Sequence, residues 1–116
     1  MLIRQMGEEQ LISAYGIRYQ QIYPHGGDEL APWGVGRAVV EPGGSTDPHD
    51  HEDHEMFVFL SGNGILTVDG DKREVGPDVT ALLPAGSRHQ VTNPSTTERL
   101  VFLTIYWPVA HGAVDL

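Results

Sequence analysis

The chain has 116 residues, with 16 Asp and Glu against 7 Lys and Arg, a formal net charge of −9 and no cysteine. That length fits one compact domain able to bury a core without staples, and the lack of cysteine excludes disulfides and thiolate metal sites. The acidic balance argues against nucleic acid and against an anionic membrane surface, since both partners require clustered Lys and Arg.

The N-terminal MLIRQMGEEQ lacks the apolar run of a signal peptide, and the longest apolar run, LVFLTIYW, is far short of the roughly 18 to 20 residues that span a bilayer. A soluble protein of the reducing cytoplasm is therefore expected. GEEQLISAYG is the one stretch that suits a short helix. From there Gly and Pro interrupt the chain at short intervals, and the runs between them are rich in Val, Ile, Leu, Phe and Tyr. GIRYQQIY, WGVGRAVV, EMFVFL, GILTVDG, DVTALLP, RHQVTN and RLVFLTIYW read as strands. Many short strands with regular turn signals predict an all-β sandwich or barrel. LTVDGDKREV reads as a hairpin, with Asp69 and Gly70 supplying the positive φ angles of a tight turn. No repeat or linker marks a boundary, so residues 1–116 read as a single domain.

One segment, DPHDHEDHEMFVFLSG, concentrates three histidines and five carboxylates between Asp47 and Glu55 and then turns apolar. Carboxylates that close raise one another's proton affinity unless a cation relieves them, so the pattern favours a resident cation over a merely solvated loop. Side chains alternate along a strand, so His49 and His51 share a face and Glu55 has their parity. Glu55, Phe57 and Phe59 then line one face of the strand, and Met56, Val58 and Leu60 the other. The zinc-protease helix HExxH is absent, because Glu52 is followed by Asp53 and His54. A second histidine, His89, opens a strand after the Pro84–Gly86 turn in LPAGSRHQVTN.

These two segments resemble the paired motifs of the cupin superfamily. Gly43, His49, His51, Glu55 and Gly62 match G-x5-H-x-H-x3-E-x6-G at every spacing. Pro84, Gly86, His89 and Asn93 match P-x-G-x2-H-x3-N, with Asp78 standing where the second motif has a leading glycine. The resemblance implies a single cupin β-barrel of the jelly-roll type, with His49, His51, Glu55 and His89 binding one divalent metal inside it. Three neutral imidazoles and one carboxylate leave a charge of about +1 on a divalent ion and suit Zn2+, Fe2+, Mn2+ or Ni2+.

Around that centre, His54 is a candidate acid/base group at the rim, against a simpler reading as an exposed loop histidine. Tyr106 and Arg37 are candidates for the pocket, and Phe57 and Phe59 for its wall. Tyr106 and Trp107 must face opposite ways, so only one looks inward. His25 and His111 read as solvated, and Asn93 as a residue that satisfies backbone groups in its turn.

HDHEDHEMFVFLSGNG together with the terminal LVFLTIYWP also resembles the small zinc cupins found fused to, or beside, methionyl-tRNA-synthetase-like proteins in hydrazine synthetases. That resemblance implies zinc, a small amino-acid-like substrate, a synthetase-like partner, and N–N bond formation by rearrangement of an aminoacyl ester of an N-hydroxylated amine. Under it PVAHGAVDL reads as the start of a linker. Two competing expectations are an Fe(II)-dependent dioxygenase of a small polar substrate and a small-ligand-binding module without chemistry. The apolar outward faces of the strands further predict a homodimer.

Overall fold

The computed structural model describes residues 1–108 except Gly26, Asp28 and Glu29; residues 109–116, and with them His111 and the linker expectation, lie outside the described part. Nine strands follow in chain order: β1 (Ile12–Ala14), β2 (Ile17–Tyr23), β3 (Gly34–Val40), β4 (His54–Ser61), β5 (Gly64–Val68), β6 (Asp71–Val75), β7 (Thr80–Leu83), β8 (His89–Thr92) and β9 (Leu100–Trp107). They form a six-stranded sheet ordered β1-β2-β3-β9-β4-β7 and a three-stranded sheet ordered β6-β5-β8. The two face each other as an open jelly roll, in keeping with the all-β expectation. Among the described residues no helix is long and apolar enough to cross a membrane.

The expected N-terminal helix shrinks to one 3-10 turn, Glu8–Gln10, and the rest of that stretch becomes β1. Tyr15 and Gly16 both take positive φ, 58° and 79°, and Ala14 pairs with Ile17. This is a two-residue hairpin loop of the kind whose twist suits antiparallel strands, with a tyrosine in place of the usual Asn or Asp. The 3-10 turn is held by Arg18 and Arg99, which both reach Glu8.

The β5–β6 hairpin forms as expected, with Asp69 at φ 48° and Gly70 at φ 84°. Asp78, which replaces a motif glycine, sits at φ 70°. Aspartate is among the few L-residues that visit this left-handed region at modest cost, so the substitution keeps the turn.

Strand parity decides what faces the interior. Along β4, Glu55, Phe57 and Phe59 are buried while Met56 and Val58 are half-exposed. Phe57, Phe59 and Phe102 form the centre of the core, with ring centroids 4.9 Å apart for Phe57–Phe102 and 5.2 Å for Phe59–Phe102. Val40, Leu66, Leu83, Val91 and Leu100 pack around them. At one end Asn93, 1 % exposed, donates to the carbonyls of Val40 and Glu98 and accepts from the Ser95 N–H. It satisfies backbone groups that the turn would otherwise bury unpaired.

Candidate metal centre

The loop before β4 runs alongside β8 and places the histidines. His49 and His89 form an isolated antiparallel bridge, exchanging N–H···O bonds of 3.2 and 2.9 Å. Further along, Thr46 N–H donates to the Val91 carbonyl at 2.9 Å. His51 is fixed from the other side, because Gly86 in the Pro84–Gly86 turn donates to its carbonyl at 2.9 Å. Glu55 enters from β4, paired with Tyr106 of β9 and Leu83 of β7.

The imidazoles of His49, His51 and His89 converge so that one ligand atom from each lies within 4.8 Å of the other two. Glu55 Oε1 stands 3.0 Å from His51 Nε2 and 3.2 Å from His89 Nε2. Its other oxygen accepts a short hydrogen bond from the Thr104 hydroxyl. His49 Nδ1 lies 2.7 Å from the Asp47 carbonyl and His89 Nδ1 3.2 Å from that of Ser87. A carbonyl only accepts, so each Nδ1 carries a proton, and each Nε2, once deprotonated, can offer its lone pair inward.

That arrangement fits a divalent ion. His89 Nε2 is fully buried and, though near Glu55, lies off the line of a hydrogen bond; it has no such partner among the described residues. A buried nitrogen left with a poorly aligned carboxylate contact costs free energy that a metal between the two would offset. Two carbonyl-anchored histidines, a third histidine and a carboxylate braced by Thr104 are a donor set with its supporting contacts in place. His51 Nδ1 is buried without a partner, so the orientation of that ring is less determined.

Electrostatics inside the cluster are strongly coupled. Burial pushes the Glu55 carboxyl up, but the contacts from His89 and Thr104 and the charges of His89 and His51 outweigh it and hold it below its ordinary value. Burial pushes His89 down, and Glu55 more than reverses this. The remaining acids do not join the cluster. Asp47, Asp50 and Glu52 are exposed, and Asp53 is half-buried at the cavity wall.

The cluster opens into a cavity of about 370 Å³. Phe57, Phe102, Ala38 and Ile17 give it an apolar side, and Tyr15, Tyr19, Gln21 and Tyr106 a hydroxyl- and amide-bearing one. No Lys or Arg is among the described lining residues. Tyr15 stacks on His49 at a centroid distance of 6.3 Å and meets Tyr19 edge-on at 5.2 Å.

Of the residues expected around the metal, Tyr106 and Phe57 line this cavity. Three others do not. Arg37 alternates with Gly36 and Ala38 and so lies on the outer face of the sheet, opposite Gln20. Phe59, 1 % exposed, is core beneath the cavity and is not part of its wall. His54 does not line the cavity, and it stands in a strand rather than a loop. It begins β4 on the outward face, accepts the Ala85 N–H at 3.0 Å on Nδ1 and packs beside Trp107 at 5.9 Å. Its role there is to tie the second-motif turn to the sheet. His25 is exposed, with Nε2 2.9 Å from the Gln21 carbonyl.

Fold and donor set together define a class of small barrel, and comparison with known proteins agrees. The Cupin domain family matches residues 36–106, and the chain belongs to that family. It is similar to a Cupin 2 conserved barrel domain protein from Salinispora arenicola, 31% identical, TM-score 0.84, covering 99% of this chain and 93% of that one. A protein of Photorhabdus luminescens is 26% identical with TM-score 0.83, over 92% of this chain and 88% of its own. A β-D-galactosidase of Mycobacterium tuberculosis is 30% identical over 79 residues, 68% of each chain. A dimethylsulfoniopropionate lyase of Ruegeria pomeroyi is 34% identical over 65 residues, 54% of this chain but 43% of the lyase.

Proposed function

We propose that this cupin is a metal-dependent enzyme acting on a small, amino-acid-like substrate, with His49, His51, Glu55 and His89 as the ligands. The observation that carries this reading is the pairing of a three-histidine cluster with a cavity whose described lining contains two acids and no cation. Apart from the metal and its histidines, a phosphorylated or polyanionic substrate would meet no cationic side chain in the described lining, whereas an amine would find Asp53.

Within that class, the zinc cupin of a hydrazine synthetase suits the site best. The substrate would be an aminoacyl ester of an N-hydroxylated amine, made by a methionyl-tRNA-synthetase-like partner or neighbouring domain. Its amine attacks the ester-bearing nitrogen, the N–N bond forms as the N–O bond breaks, the carboxylate leaves, and the amine gives up a proton. A bound divalent ion would supply Lewis acidity that favours the unprotonated amine. The chain's own contribution is to hold the two nitrogens together in the cavity, where attack within one held molecule avoids the entropy of encounter. Asp53, half-buried at the wall, is positioned to take the released proton in place of His54, which faces the other way. No net redox change is needed, which distinguishes this reading from an iron dioxygenase.

The deciding experiment has two parts. Elemental analysis of protein purified without added metal should find about one zinc per chain, and His89→Ala or His49→Ala should lose it while circular dichroism still reports the β fold. Zinc-loaded protein given the aminoacyl ester of an N-hydroxylated amine should then yield the hydrazine without oxygen uptake. Stoichiometric metal in both histidine variants would overturn the ligand assignment. Iron in place of zinc, with oxygen consumed, would favour the dioxygenase, and tight ligand binding without turnover the binding module.

A further inference from the structure

The cavity wall facing the histidines contains a chain of hydrogen bonds with a fixed direction. Tyr19 Oη is 2.8 Å from Gln21 Oε1, and Gln21 Nε2 is 2.6 Å from both the Tyr23 carbonyl and Tyr106 Oη. The Tyr23 carbonyl accepts only, so it settles which end of the amide is the nitrogen. The amide oxygen must then face Tyr19, whose proton is committed to it. Both amide protons are likewise committed, one to Tyr23 and one to Tyr106. Tyr106 is thus an acceptor towards Gln21, and its own proton has no acceptor among the described residues.

The backbone is shaped to hold this arrangement. A Cβ on Gly36 would fall 1.8 Å from Tyr19 Oη, and one on Gly34 would fall 2.4 Å from Tyr106 Oη. Two bare positions on the inward face of β3 therefore form the shelf on which both phenols lie. Burial raises the proton affinity of both phenols, which keeps them neutral donors. Glu55, the cross-strand neighbour of Tyr106, already has one oxygen engaged by Thr104.

We infer that Gln21 is a positioning residue that directs the free O–H of Tyr106 at a ligand in the cavity, so that the site selects a small ligand presenting an acceptor oxygen beside the histidine cluster. The ligand half of this inference rests on the metal-enzyme reading above; the direction of the hydrogen-bond chain does not. Carbonyl, carboxyl and N-linked oxygens qualify as acceptors, and a wall with Asp53 and no Lys or Arg leaves the rest of the ligand neutral or cationic.

Two measurements test it. In zinc-free protein, 15N NMR should show both Gln21 side-chain amide protons protected from exchange. Tyr106→Phe should release one of them and Tyr19→Phe neither. Unchanged protection in Tyr106→Phe, or loss in Tyr19→Phe alone, would overturn the assignment. In zinc-loaded protein the probe is acetohydroxamic acid, followed by calorimetry alongside zinc content. Tyr106→Phe should weaken binding about five- to tenfold, the range of one neutral hydrogen bond. Gln21→Glu, which can only accept and so captures the Tyr106 proton, should weaken it similarly, with no further loss in the double variant. Losses that add, or none, with zinc retained would overturn the ligand half. If no protein held zinc, the metal reading would fall, and the ligand half with it, while the NMR comparison still decided the direction of the chain.

Discussion

At the residue scale the centre is governed by one proton. Glu55 is held below its ordinary 4.5 and His89 above its ordinary 6.5, each largely by the other against the opposing effect of burial. The Glu55 contribution to stability is present above 4.5 and lost as pH falls through its lower folded value. The His89 contribution is present below 6.5 and lost as pH rises through its higher folded value. Metal-free protein should therefore be most stable between those ordinary values, as urea midpoints across pH will show. A metal must displace the His89 proton, so zinc affinity should rise about tenfold per pH unit until His89 has titrated, then level off. Competition with a chelator at several pH values measures this. An affinity independent of pH from 6 to 8 would mean that His89 is not a ligand.

At the scale of strands, alternation explains both what the sequence revealed and what it concealed. On β4 the inward residues Glu55, Phe57 and Phe59 are large or charged, so the buried face could be read directly. On β3 the inward residues are Gly34, Gly36 and Ala38, and the conspicuous side chain, Arg37, is the one that points out. Small inward residues thus disguised the parity. On β2 the disguise is different. Gln20 faces outward yet is buried, 6 % exposed, and donates to the Gln5 carbonyl, while Gln21 faces the cavity. IRYQQIY consequently shows no alternation, and nothing in it marks Tyr19 and Gln21 as inward-facing. Gly34 stands opposite Tyr106 across β3–β9 and Gly36 lies diagonal to Tyr19 across β2–β3, a signal usable only with the register known. Gly36→Ala should displace Tyr19 and destabilise the fold by roughly 1–3 kcal/mol, the usual cost of overpacking. Denaturant unfolding of that variant checks it, and a change under about 0.5 kcal/mol would mean the shelf is pliable.

At the scale of the molecule, the motif spacings made the histidine cluster legible because they record where strands must meet. Glu55 and His89 are adjacent only through the closing of the two sheets. Strand alternation, not motif spacing, is what points to the apolar outer face of the large sheet. Met56, Val58, Leu103 and Ile105 are half-exposed there, and Leu82 at its β7 edge is 68% exposed. Monomers seldom leave so continuous an apolar face to solvent. We expect a homodimer that covers it, with sedimentation at micromolar protein giving about twice the 12.7 kDa chain mass and Leu82→Asp shifting the equilibrium to monomer. A single monomeric species in the unaltered protein would remove that expectation.

The backbone bridge between His49 and His89 bears on the order in which the protein is made. In a zinc finger the ion is the keystone, and the chain is shapeless before it arrives. Here two of the four expected ligands are neighbours on the same rung of main-chain hydrogen bonds, so the backbone itself sets their spacing. A polypeptide built this way is expected to fold first and be loaded afterwards, and the metal it then carries would follow from what a finished vessel is offered.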